Sequence, residues 1–149
     1  MIKKIVIWFL CLSVLFSQSS IAEENFFSLK KSKVNVRYGP SFDSKIKYIY
    51  KKINLPIKQI DQKENFRRIV DLKNNSGWIH ISQIKKSNSI IILEDKILYK
   101  KPSNFSKPIA KLEKGRLLIL KKCENIWCNV KTEDYSGWVK TENIWGSIR

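Results

Sequence analysis

The chain is 149 residues long, with 29 Lys and Arg against 13 Asp and Glu, and a formal net charge of +16. Its single His and the two Cys outside the apolar N-terminal run fall short of the four ligands a structural zinc site needs, and its five Gly are too scattered for a phosphate-cradling loop, so no metal and no cofactor is expected. The positive field favours anionic partners; the excess is mostly Lys beside abundant Ile and Asn, which codon bias in an AT-rich genome also produces, so a binding reading and a compositional reading of the charge both stand.

In chain order, residues 1–22 read as a signal peptide. Lys3 and Lys4 form a short positive start, Ile5 to Phe16 an apolar run, and Ser20 and Ala22 the small residues ahead of a cleavage site. A membrane span needs about 20 apolar residues, more than this run supplies, although an uncleaved anchor is the alternative. Cys11 follows the bulky Leu10 mid-run, which argues against a lipoprotein signal. Loss of Lys3 and Lys4 takes the formal charge from +16 to +14. No further apolar run in the mature chain is long enough to span a membrane.

Residues 23–33 read as an N-terminal extension, and short strands follow. Val34-Asn35-Val36-Arg37 alternates, Leu55 to Ile60 carries β-branched residues, Phe66 to Leu72 starts on an aromatic, and Gly77-Trp78-Ile79-His80-Ile81 follows a turn. Ile97-Leu98-Tyr99, Arg116 to Lys122, Trp127 to Thr132 and Gly137 to Lys140 repeat that order. The segments after Tyr38-Gly39-Pro40-Ser41 and Lys101-Pro102-Ser103 read as long loops. Gly77 and Gly137 are expected to serve turns through positive φ. Lys85 to Asn88 is the expected junction, with short helical turns after each Trp strand. No sustained 3.6-residue period predicts a long helix.

The chain is doubled. Ser76-Gly77-Trp78-Ile79 returns sixty residues later as Ser136-Gly137-Trp138-Val139, and Phe66 to Val70 returns as Trp127 to Val130. A repeat this long is a copied small domain rather than a solenoid unit. Each copy, of about 60 residues, buries a modest fraction of its surface. Cys123 and Cys128 face each other across a tight hairpin of the second copy and are expected to form a disulfide. In the first copy, Asp61 and Arg67 are expected to stand at the matching places as an opposite-charge pair.

Val34-Asn35-Val36-Arg37-Tyr38-Gly39-Pro40-Ser41, followed by Gly77-Trp78-Ile79 and again by Gly137-Trp138-Val139, resembles the bacterial SH3-like (SH3b) domain. The second copy keeps only Pro102-Ser103 of the opening motif. Its Cys123 and Trp127-Cys128-Asn129-Val130 are similar to exported two-domain SH3-like proteins of Gram-negative bacteria. The resemblance covers Val34 to about Trp145. It implies an all-β protein of two tandem SH3-like five-stranded barrels, at 34–86 and 87–149. It also implies envelope targeting and binding of peptidoglycan or of other proteins.

SH3-type barrels bind extended ligands in aromatic grooves. The candidate ligand-binding residues are therefore Arg37, Tyr38, Phe42, Tyr48 and Trp78 in the first copy and Tyr99, Phe105, Tyr135 and Trp138, their rough equivalents, in the second. Trp78 and Trp138 read more readily as barrel-closing residues, since strand aromatics mostly pack. Arg37 reads either as a carboxylate clamp or as a strand residue paired to an acid. His80, the lone His, reads as structural: it lacks a nucleophile and an orienter for a triad. No paired carboxylates suggest glycosidase chemistry, so no catalytic residues and no enzymatic activity are expected.

The expected function is an exported, non-enzymatic binding module of the cell envelope, in the periplasm. Its expected partner is peptidoglycan or another acidic envelope ligand; a periplasmic protein–protein adaptor without wall affinity is the alternative. Export disfavours nucleic acid as a partner.

Overall fold

The computed structural model describes residues 25–148, and the signal-peptide reading of 1–22 lies outside them. Fourteen strands form two seven-stranded antiparallel sheets, one per sequence copy. The first sheet contains β1 (Phe26–Leu29), β2 (Val34–Arg37), β3 (Ile46–Tyr50), β4 (Pro56–Lys63), β5 (Phe66–Val70), β6 (Ser76–His80) and β7 (Ile84–Lys86). The second contains β8 (Ser89–Ile92), β9 (Lys96–Tyr99), β10 (Pro108–Leu112), β11 (Leu117–Glu124), β12 (Trp127–Lys131), β13 (Ser136–Lys140) and β14 (Ile144–Gly146). The strand orders, β3-β2-β6-β5-β4-β1-β7 and β10-β9-β13-β12-β11-β8-β14, are the same topology twice. Two tandem SH3-like units are therefore present.

Several local expectations need correction. Each sheet has seven strands rather than five, because a short strand precedes and another follows each set of five. Residues 26–29 are barrel, not extension: β1 pairs with β4 and β7, and Leu29 is fully buried in the first core. The segments read as loops contain β3 and β10, whose mostly exposed outer positions hide the alternation. The only connection outside strands at the junction is Ser87-Asn88. A 3-10 turn follows the first Trp strand, at Ile81–Gln83, but none follows the second.

Each barrel closes on its own core. Leu29, Val34, Val36, Ile57, Ile69 and Ile79 fill the first; Ile90, Leu98, Leu112, Leu118, Val130 and Val139 are among those filling the second. Gly77 and Gly137 lie within strands, and neither has positive φ; Asn74 takes that conformation in the first turn (φ 64°). The glycines are needed for close approach. A Cβ on Gly77 would meet Val36 and lie 3.0 Å from the Arg37 carbonyl oxygen, and one on Gly137 would lie 2.6 Å from that of Tyr99.

Cys123 and Cys128 are directly opposite across β11 and β12 and form the disulfide. The expected Asp61–Arg67 pair is not formed. A bulge shifts the register so that Arg67 faces Gln62 and Asp61 faces Arg68. Asp61 accepts instead from the Gln62 backbone N–H at 2.7 Å, and Arg67 donates to the carbonyls of Glu64 and Phe66.

The two barrels are joined by a buried relay. The Asn88 N–H donates to Ser28 Oγ (3.2 Å), which bonds Ser89 Oγ (2.7 Å), which donates to the Asn54 carbonyl (2.5 Å). Beside it, the Trp145 indole N–H donates to the Pro56 carbonyl (3.1 Å), and the Trp145 ring stands edge-on to Phe26 at 5.1 Å. Such satisfied buried polar groups fix one arrangement, because breaking any of them leaves a desolvated partner.

Candidate binding groove

The loop between β2 and β3 is built on Arg37. Its Nη1 donates to the carbonyls of Phe42 (3.0 Å) and Ser44 (2.8 Å), and its guanidinium lies 5.7 Å from the Phe42 ring centroid. Bonds from Tyr38 N to Lys45 O, from Ser44 N to Ser41 O and from Asp43 N to Ser41 Oγ close the loop. Arg37 is thus a loop staple with its cationic face toward an aromatic ring.

The staple sets Phe42 against the barrel. Phe42 packs on Phe66 (5.2 Å between centroids) and on His80 (4.9 Å), while Phe66 and His80 are cross-strand partners 5.2 Å apart. His80 is oriented through Nδ1, which accepts from the Ser82 N–H and bonds Ser82 Oγ, leaving Nε2 as the protonated nitrogen. Phe42 nonetheless remains 63% exposed. The Phe42–His80 ridge divides two depressions. One, of about 340 Å³, is lined by Lys33, Asn35, Arg37, Phe42, His80 and Gln83, none of them acidic. The other, of about 370 Å³, has Asp43, Glu64 and Asn65 in its wall. An aromatic shelf with a cationic side and an acidic side can hold an extended, polar ligand by stacking and by charge.

The other candidates are dispersed. Tyr38 is exposed, with Lys47 Nζ 5.7 Å from its ring centroid, and lines neither depression at the shelf. Tyr48 lies on β3 rather than in a loop; it packs edge-on to Tyr50, whose hydroxyl donates to Asp71, and burial raises both phenols above their ordinary range. Trp78 and Trp138 are half-buried on outward registers, beside Arg37 and Tyr99 respectively, and Trp78 lines neither depression at the shelf. Tyr135 is exposed in the turn before β13.

The equivalent place in the second barrel has different chemistry. Strand for strand, Lys33 becomes Asp95, Arg37 becomes Tyr99, Phe42 becomes Asn104, Phe66 becomes Trp127 and His80 becomes Lys140. The two loops share their backbone bonds: Lys100 N to Lys107 O and Ser106 N to Ser103 O repeat those of the first. Phe105 therefore occupies the place of Asp43, not of Phe42, and is 100% exposed. Tyr99 stands edge-on to Trp127 at 5.6 Å, and Lys140 Nζ lies 5.7 Å from the Trp127 ring centroid.

Only about 160 Å³ remains in this second groove, and it brings its own carboxylates. Glu94 accepts from buried Lys96 (3.0 Å) and from Asn143 Nδ2 (3.0 Å), which hold its carboxyl below the ordinary range. Asp95 is lowered first by the Lys114 backbone N–H and then by Lys111 at 3.0 Å. The second groove is internally neutralised. Sequence reasoning missed Lys33, Asn35, Phe66 and Gln83 and set His80 aside; only the cross-strand register of Phe66 with His80 could have pointed to them.

Fold and groove together define a tandem SH3-like barrel protein. The family described as bacterial SH3 domain matches residues 30–86 and 95–146, and the chain belongs to that family. No curated protein matches it. Among solved structures it is similar to NlpC2 from Trichomonas vaginalis (10% identity, 84% of this chain and 49% of that one, TM-score 0.39). It is also similar to NlpC1 from the same organism (12% identity, 91% and 51%, TM-score 0.38). The chain spans about half the length of these structures.

Proposed function

We propose that this chain is an exported, non-enzymatic binding module of the cell envelope, acting in the periplasm, and that the first barrel holds peptidoglycan peptides at the Phe42–His80 shelf. The observation that carries the reading is Phe42: a loop aromatic anchored by Arg37, packed against His80, and still mostly exposed above a groove lined by Lys33 and Arg37. Ligand carboxylates would lie on the Lys33 side and ligand amines on the Asp43 and Glu64 side. Family membership supports a binding role. A non-enzymatic role is supported by the disulfide, which leaves neither described cysteine as a thiol nucleophile.

Co-sedimentation of the mature protein with purified peptidoglycan, at low and high salt, tests this. Retention that survives high salt supports groove recognition. Retention lost at moderate salt reduces the interaction to charge attraction, which screening weakens. Absence of retention at either salt excludes the wall and leaves the adaptor reading.

A further inference from the structure

A second site lies between the barrels, away from the Phe42 shelf. The turn between β3 and β4 brings Lys52, Ile53 and Asn54 opposite the outer face of β11 and β12, where Arg116, Leu117, Ile119 and Lys131 stand. They enclose a cleft of about 850 Å³, the largest of the depressions described above and within the range of specific ligand sites.

Three observations separate this cleft from an ordinary gap between domains. First, its walls are tied together. The Asn54 N–H donates to the Leu29 carbonyl (2.9 Å), and the Asn54 carbonyl accepts from Ser89 Oγ of the second barrel, so the turn is held at that distance. Second, its apolar floor has no cover among the described residues. Pro56, the counterpart of Leu117, is buried and its carbonyl takes the Trp145 indole; Leu117 and Ile119 are only partly buried, and Ile53 is 47% exposed. Third, its rim is one-sided in charge: Lys52, Arg116 and Lys131 against Glu133 alone.

The geometry points to this cleft as a binding site for an acidic peptide segment of a partner protein, with an apolar side chain on Ile53, Leu117 and Ile119 and flanking carboxylates on Lys52, Arg116 and Lys131. A sugar polymer offers no apolar side chain for the floor, and a bilayer surface cannot enter a concave cleft. Charge complementarity at the rim selects acidic over basic segments, and the floor selects those with an aliphatic residue between the acids.

The test is an amide chemical-shift titration of the full mature chain with a synthetic peptide alternating Glu and Leu, beside a Glu–Ser peptide of equal charge. The expected result is shifts clustered at Ile53, Leu117, Ile119 and Thr132, with the Glu–Ser peptide markedly weaker. Arg116→Glu with Lys131→Glu weakens binding at least about tenfold, as reversing two rim charges should. Ile53→Ser, at an exposed turn position that does not endanger the fold, weakens it also. Lys33→Glu, at the shelf, leaves it unchanged. Equal shifts from both peptides, shifts centred on Phe42 and His80 instead, or no shifts at all would each overturn the assignment. Peptidoglycan retention by the shelf is unaffected by any of these outcomes, so the two proposals fail separately.

Discussion

His80 and Lys140 occupy the same position, the last residue of each Gly-Trp strand, and keep different company. His80 lies 4.9 Å from the exposed Phe42 ring, above a groove with no acid in its lining. Lys140 lies over Trp127 in a groove that contains Glu94, Asp95 and Glu142. One position has thus become part of a shelf for a ligand and the other part of an internal charge cluster. Binding is therefore expected to be unequal between the barrels.

Phe42→Ala should separate binding from folding. The ring is mostly exposed, so the loss in stability should stay near about 1 kcal/mol or below, the scale of a single aromatic contact. Thermal unfolding should show a small shift in Tm, while retention on peptidoglycan falls.

Gly77→Ala and Gly137→Ala should destabilise through overpacking. Each new methyl would press on a backbone carbonyl of the neighbouring strand, Arg37 or Tyr99, which cannot rotate aside. The expected cost is about 1–3 kcal/mol at each position, read as a lower denaturant midpoint at unchanged slope.

Reduction of the Cys123–Cys128 disulfide should weaken the second barrel without unfolding the chain. The closed loop is short, with a sequence separation of 5. Constraint of so small a loop contributes about 2 kcal/mol in the chain-entropy description. Calorimetry with and without reductant should show a lowered second-barrel transition; no change would mean that the bridge is energetically idle.

Trp145→Phe should loosen the barrels from each other. It removes the hydrogen bond to the Pro56 carbonyl while keeping most of the ring against Phe26. The lost bond is worth about 1 kcal/mol. Hydrogen exchange should rise in β1, β4 and β14, whereas exchange in β2, β5, β6, β9, β12 and β13 should stay as it was.

Alkaline pH should destabilise the first barrel through Tyr48 and Tyr50. Burial raises both phenols, and for Tyr50 the Tyr48 hydroxyl and the Asp71 carboxylate add to it. A phenol whose folded value exceeds its unfolded value of about 10 contributes full stability below that pH and loses it as pH rises above it. The ring signals of Tyr48 and Tyr50 should stay unchanged through the ordinary phenol range and move only as the barrel opens.

Much of the architecture was legible in the residues. Ser-Gly-Trp twice, with alternating strands between, is enough for two barrels, and Cys123 with Cys128 is enough for the staple. The weaker parts are those where tertiary placement overrides local pattern. Phe26-Phe27-Ser28-Leu29 does not alternate, yet becomes a strand because Leu29 completes a core. Ile46 to Tyr50 keeps most of its side chains outside and reads as loop until β2 pairs with it. Asp61 misses Arg67 because a bulge moves the register by one. The shelf was half visible: Arg37 is in the opening motif and Phe42 directly follows it, but Lys33, His80 and Gln83 meet them only through the pairing of β2, β5 and β6. Phe105 shows the limit most plainly, since one residue of displacement along a loop turns a ring from the groove into solvent.

The measurement that bears most directly on the central claim is side-by-side retention of Phe42→Ala and Phe105→Ala chains on one peptidoglycan preparation at high salt. Both positions are exposed loop aromatics in matching loops, so charge is held constant between them and neither substitution empties a buried site. The account predicts that Phe42→Ala loses about tenfold or more in affinity, as removal of an anchoring aromatic does, while Phe105→Ala binds like the native chain. Equal retention by all three chains, or loss in Phe105→Ala alone, would contradict it.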